Sequence, residues 1–276
     1  MTRSPRGDHP PGDPDPAALA ELARRAATAA AGLLLDGLDR DRAMVDTKAT
    51  ATDMVTEMDH ASERLIERTV LAERPDDGFA GEEGTSRAGT SGVRWVVDPL
   101  DGTTNYLYGF PGFAVSVAAE VAGEVVAGAV VDPLHGDTFV AVRGRGATRN
   151  GAPIRVSAEH RLDRALVATG FSYEPERRVR QAQVLTALLG RIRDIRRTGA
   201  AAVDLCSVAC GRVDAFYERG LQPWDYAAGA LVAAEAGARL GDLDGGPVSP
   251  SFTLAATPEL FEALRELLAR SGAADA

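Results

Sequence analysis

Two aspartates three residues apart, Asp98 and Asp101, close an apolar run and are followed at once by a glycine and two threonines, in the segment WVVDPLDGTTN at 95 to 105. Pro99 fixes its own φ and favours an extended residue before it. Both carboxylates can then face one cation. Hard divalent ions such as Mg²⁺ take oxygen ligands and leave room for substrate phosphate and water. Gly102, Thr103 and Thr104 offer backbone N–H groups with little obstruction, a phosphate cradle if a short helix starts here. Thr103 can also hold an attacking water. The alternative is a polar turn at the end of a strand, since Asp, Pro, Gly and Asn are ordinary turn residues.

Two further acidic elements favour the first reading. Glu82 and Glu83 follow Phe79, Ala80 and Gly81, where a strand can deliver a carboxylate to the same cavity. Asp225, behind Pro223 and Trp224, stands at the start of an amphipathic helix, a position that the helix dipole favours for an acid whatever its function. Lys48 is the only lysine among 30 basic residues, and its survival in a chain that has otherwise exchanged lysine for arginine suggests a task for a compact ammonium.

The elements that must position these residues are read from periodicity and caps. Asp15 and Pro16 open a helix that runs to about Leu35, and Thr56 with Asp59 forms a capping-box pattern for a second, which Pro75 ends. Two helices are thus expected before any strand. From Arg94 onward short β-type runs joined by glycine turns predict a mainly antiparallel sheet. The remainder alternates: strands at 166–169 and 213–218, helices near 177–190, 200–210 and 224–236, two late strands, and a C-terminal helix capped at Thr257.

Composition bounds the class. The apolar share of 45% and charged share of 25% are those of an ordinary globular protein. The net charge of −10, with no basic run, opposes nucleic-acid binding. No segment has the ~20 apolar residues of a membrane span, and residues 1–15 read as a disordered polar tail without a signal peptide's apolar core. Cys206 and Cys210 lie on one helix face, a poor disulfide geometry that fits a reducing cytoplasm. His9, His60, His135 and His160 lack ligand spacing and are expected at the surface.

Through GEE at 81–83, WVVDPLDGTTN at 95–105 and WDYAAGALVAAEAG at 224–237, the chain resembles the inositol monophosphatase family from about Ala17 to its end. The resemblance implies an α+β fold, a layered αβαβα sandwich of the inositol monophosphatase and fructose-1,6-bisphosphatase type occupying residues 16–276. It implies a Mg²⁺-dependent, lithium-sensitive homodimer that hydrolyses a small polyol or sugar monophosphate, foremost inositol monophosphate, with metal-activated water. Carried over by position, Glu82, Asp98, the Leu100 carbonyl, Asp101 and Asp225 match metal ligands. Thr103 matches the water-orienting threonine, assisted by Glu82, and Asp59 its support. The Gly102 and Thr103 amides match the phosphate cradle; Gly199, Ala200, Ala201 and Glu218 match positions that meet substrate hydroxyls. Lys48 falls where the family has a lysine near an active-site loop.

Related esters remain open as substrates: fructose bisphosphate, histidinol phosphate and adenosine bisphosphate. Paired acids also occur in glycosidases, but those need no GTTN-type cradle. The chain has no P-loop, and GRGATRNG does not fit dinucleotide spacing. A non-catalytic cation-binding protein would not need Thr103 together with every expected ligand.

Overall fold

The computed structural model describes residues 14–38, 45–47 and 54–276. Lys48, His9 and residues 1–13 of the expected tail lie outside the described residues. Asp15 caps the first helix, α1 (Pro16–Gly37), by accepting the Ala17 amide at 3.1 Å. Such a cap is worth about 1 kcal/mol. The buried face of α1 is largely alanine, Ala23, Ala26, Ala27 and Ala30 among them, which lets the helix axis lie close against a sheet.

The expectation that two helices precede any strand is overturned. β1 (Val45–Thr47) and β2 (Met54–Thr56) pair antiparallel before α2 (Glu57–Glu73) begins. Three residues per strand are too few for an alternating pattern to be read from sequence.

The first sheet contains β3 (Gly78–Gly81), β4 (Ser86–Arg87), β5 (Val93–Asp101), β6 (Ala114–Val121), β7 (Glu124–Asp132), β8 (Asp137–Val142), β9 (Gly146–Arg149) and β10 (Ala152–Pro153). Their order is β10-β9-β8-β7-β6-β5-β3-β4. All neighbours are antiparallel except β3 and β5. The short helix α3 (Thr103–Tyr108) follows β5.

The second sheet has the order β12-β11-β13-β15-β14. It is built from β11 (Leu166–Thr169), β12 (Asp194–Arg196), β13 (Ala215–Glu218), β14 (Arg239–Gly241) and β15 (Thr253–Ala256). Four helices complete the chain: α4 (Pro175–Leu189), α5 (Ala201–Ala209), α6 (Pro223–Glu235) and α7 (Pro258–Arg270). Thr257 precedes α7 as expected, but its hydroxyl donates to the Glu159 carbonyl at 2.8 Å rather than capping the helix.

Apolar clusters give the layer order. α1 and α2 cover one face of the first sheet through Leu34, Ile66, Trp95 and Val117. The opposite face packs on α5 and α6 through Val130, Phe139, Cys206 and Val232. Those helices also meet the second sheet, where Leu205 and Val208 join Phe216 and Ala255. The outer face of the second sheet is covered by α4 and α7 through Val184, Leu188, Phe261 and Leu264. The succession is αβαβα, as expected. Cys206 and Cys210 are free thiols. His60, His135 and His160 are exposed. Among the described residues no helix is long and apolar enough to cross a membrane.

Candidate functional site

β5 is where the site begins. Its ladder with β6 runs regularly from Val93 to Asp98, breaks, and resumes where Asp101 pairs with Ala114. Pro99 has no N–H to donate, so the strand bulges there, and both aspartates line the same cleft. The bulge is tied down on both sides. Asp98 Oδ1 accepts the Leu100 amide at 3.0 Å, and the Ser62 hydroxyl of α2 donates to the Pro99 carbonyl at 2.7 Å. Gly102 follows with φ 89°, a left-handed conformation, and a side chain there would run into the Gly112 carbonyl.

One cleft of about 750 Å³ gathers Glu82, Asp98, Leu100, Asp101, Gly102, Thr103, Gly199, Ala201, Glu218 and Asp225 on its walls. These are ten of the thirteen residues singled out from sequence. Asp59 is buried behind the wall, where the Thr103 hydroxyl reaches Asp59 Oδ1 at 3.4 Å and the Leu100 carbonyl at 3.1 Å. Ala200 is buried at the start of α5 and does not line the cleft. Lys48 is outside the described residues.

Besides Asp98, two of the acids are fixed by backbone donors. Asp101 accepts the amides of Ala201 at 3.1 Å and Ala202 at 2.7 Å, joining the first sheet to the start of α5. Asp225 accepts the Gln222 amide at 2.6 Å in a capping box at the start of α6. Glu218 ends β13, and its carboxyl fills the place that a side chain at Gly170 would take. Asn105 ties the 95–105 segment to the 198–201 turn by donating to the Gly112 and Thr198 carbonyls at 2.6 and 2.7 Å.

Crowding like charges out of water raises their proton affinity. Burial pushes the Asp98 carboxyl well above the usual range, and Glu82, Asp101 and Asp225 push it further. Asp101 is pushed up to about 7, chiefly by burial with Glu218 and Glu82 adding, against the opposing Ala201 and Ala202 amides. Burial and then Asp225 raise Glu218 to about 8, with Arg197 opposing. Among the described residues no three His, Cys, Asp or Glu side chains converge closely enough, as they stand, to hold a metal ion. The acids share a cleft, while Asp101 and Asp225 have oxygens engaged by backbone amides.

Residues 15–273 match the inositol monophosphatase family. The chain belongs to that family. Inositol-1-monophosphatase of Mycobacterium leprae is 42% identical over 278 residues, which cover 94% of this chain and 96% of the relative. Nus factor SuhB of Escherichia coli K12 is 39% identical over 230 residues, 83% of this chain and 86% of its own. The crystal structure of extragenic suppressor protein suhB from Bartonella henselae superposes with a TM-score of 0.87 at 37% identity, covering 91% of this chain and 98% of that one. Membership of the inositol monophosphatase family supports a metal-dependent phosphatase, a hydrolase of phosphate esters, and agrees with the layered α+β fold found here.

Two groups near the family motifs were not singled out from sequence. Glu63 of α2 is buried, and its carboxylate accepts the amides of Glu83 at 2.8 Å and Thr85 at 3.0 Å, both in the loop between β3 and β4 that presents Glu82. A side chain at Gly81 would collide with that carboxylate. Arg197 is the single basic residue among those lining the cleft. Glu63 shares the buried face of α2 with Asp59, Ser62, Ile66 and Val70 but has no mark in sequence that separates it from any other helix glutamate; Arg197 had only the pair RR before TGAA to mark it.

Proposed function

We propose that this protein is a Mg²⁺-dependent phosphatase acting on the monoester of a small polyol, inositol monophosphate first among them. The observation that carries the reading is the meeting of Glu82, Asp98, Asp101, Asp225 and Thr103 in one cleft from three separate stretches of chain. The donor set is entirely oxygen, four carboxylates and the Leu100 carbonyl, which suits a hard divalent cation rather than zinc or copper. The raised proton affinities of Asp98 and Asp101 fit the same reading, because a cation relieves the repulsion that protons relieve in its place.

Glu82, Asp98, the Leu100 carbonyl, Asp101 and Asp225 would hold Mg²⁺, which would supply positive charge near the phosphate oxygens and make water more acidic. The protein does the positioning. The Thr103 hydroxyl has the Leu100 carbonyl and Asp59 as acceptors, so its own oxygen is left to accept a hydrogen bond from the attacking water. Glu82 accepts from the same water. The Gly102 and Thr103 amides meet the phosphate oxygens, and Glu218 with the 199–201 turn meets the hydroxyls of the alcohol. Water oxygen bonds to phosphorus, the ester P–O bond breaks, and the alcohol oxygen leaves with a proton. No phosphoenzyme is required.

The family resemblance also favours a homodimer, which light scattering tests directly. Relatives named Nus factor keep that description for themselves; the convergence of the cleft residues favours the enzyme reading here. A panel of inositol 1-phosphate, histidinol phosphate, adenosine bisphosphate and a simple aryl phosphate, assayed for phosphate release with and without Mg²⁺, tests the assignment. Glu218→Gln sharpens it. The loss of a charge-assisted acceptor should weaken kcat/KM for the polyol ester by roughly 1.5 to 3 kcal/mol and much less for the aryl ester. Equal losses on both, or none, would reject a hydroxyl-reading role.

A further inference from the structure

Ala168, Phe216 and Ala255 stand side by side on three neighbouring strands of the second sheet, on the face packed against Leu205 and Val208 of α5. Side chains two residues apart along a strand share a face. Gly170, just past β11, and Glu218, at the end of β13, therefore continue that face toward the cleft, which both line. On the antiparallel strand β15 the same face carries Thr253, the direct partner of Glu218. Within this row the Glu218 carboxyl leans one way. The three atoms that a side chain at Gly170 would meet first are its carboxyl carbon and both oxygens. On the other side the Thr253 hydroxyl is fully buried and has no hydrogen-bond partner among the described residues.

Gly170 is not among the glycines with positive φ, so its backbone conformation is open to alanine. What the glycine supplies is room. We propose that Gly170 is the positioning residue that sets the preference for a polyol: it leaves Glu218 free to stand in the cleft, where the carboxylate meets adjacent hydroxyls of the alcohol. Any side chain at this position drives the carboxyl back along the row toward the Thr253 hydroxyl, away from the substrate. The end of a glutamate side chain yields by rotating, which costs far less than moving a strand. The displaced carboxylate then gives the buried hydroxyl the acceptor it lacks. Gly170 makes no bond to the substrate and acts through Glu218. The proposal rests on the phosphatase reading and on Glu218 as the acceptor of substrate hydroxyls.

The test compares Gly170→Ala with the wild type, as full chains at saturating Mg²⁺, on inositol 1-phosphate and phenyl phosphate. KM for the inositol ester should rise about tenfold, with both constants for the phenyl ester unchanged. Adding Gly170→Ala to Glu218→Gln should cause no further loss, because the two changes act through one carboxyl. Thr253→Val in the Gly170→Ala background removes the alternative partner and should recover part of the preference. Equal losses on both esters, additive losses in the double variant, or no recovery with Thr253→Val would each overturn the proposal and leave the phosphatase reading intact. A wild type that hydrolyses neither ester overturns both. Melting temperature decides the case of a poorly folded Gly170→Ala. Gly170→Ala/Glu218→Ala should melt together with Glu218→Ala, since the colliding carboxyl is gone; a Tm still several degrees lower would show that the glycine serves the backbone, and would overturn the proposal.

Discussion

The carboxylate of Glu63 accepts the backbone amide of Glu83 at 2.8 Å, across twenty residues of sequence, and thereby fixes the loop on which Glu82 faces the cleft. A buried carboxylate with two amide donors holds the loop more firmly than a neutral acceptor, since charge-assisted hydrogen bonds are about twice as strong as neutral ones.

Glu63→Gln should therefore act through Glu82. A glutamine offers one acceptor oxygen and turns an N–H group toward an amide that also donates. The expected cost is about 1–3 kcal/mol of stability, with a several-fold rise in the Mg²⁺ concentration for half-maximal activity. Stability can be followed by denaturant unfolding and the metal dependence by phosphate release. A variant less stable but with unaltered Mg²⁺ dependence would show that Glu63 supports the fold without positioning Glu82.

Thr103→Ala separates orientation of water from binding of metal. The hydroxyl touches Asp59 and the Leu100 carbonyl, so its removal leaves the expected ligands in place. Turnover should fall by about 100-fold while Mg²⁺ affinity changes little. A large loss of metal binding with unchanged turnover at saturation would show that the residue was misassigned.

The acids of the cleft make a pH prediction for the metal-free protein. Asp101 lies at about 7 and Glu218 at about 8, against ordinary values of 3.8 and 4.5. Between the ordinary and the raised values the folded state binds more protons than the unfolded one, so stability falls as pH rises. The contribution is fully present below the ordinary values and is lost as pH climbs through 7 and 8. In EDTA the Tm should drop between pH 5.5 and 8, and added Mg²⁺ should raise it more at pH 8 than at pH 5.5. A metal-free Tm that is flat or rises over that interval would contradict the crowding of charge described here.

The parts of the site legible in sequence are those where local chemistry and backbone geometry coincide. Pro99 announces the bulge between Asp98 and Asp101, Gly102 the left-handed turn, and Pro223 with Asp225 the start of α6. Residues acting across long stretches of chain were not legible. Glu63 has the sequence context of any helix glutamate, and only the approach of β3 to α2 gives it a task. Asp204 reads as a polar residue of α5; packing buries it, and burial pushes its carboxyl well above the usual range. β1, β2 and β12 were missed because three residues carry no period, and because the sheet partners that stabilise them lie elsewhere.

The central claim is that Asp98 and Asp101 together hold the cation that phosphate hydrolysis needs. Asparagine at position 98 can still accept the Leu100 amide, so Asp98→Asn should keep the turn while removing a charged ligand. The decisive measurement is phosphate release from inositol 1-phosphate as a function of Mg²⁺ concentration, for the wild type, Asp98→Asn and Asp101→Asn, each shown to be folded by circular dichroism. The account predicts no turnover in EDTA, saturable activation of the wild type, and losses of about 100-fold or more in both variants even at saturating Mg²⁺. A folded Asp101→Asn protein with full activity at saturating Mg²⁺ would contradict it.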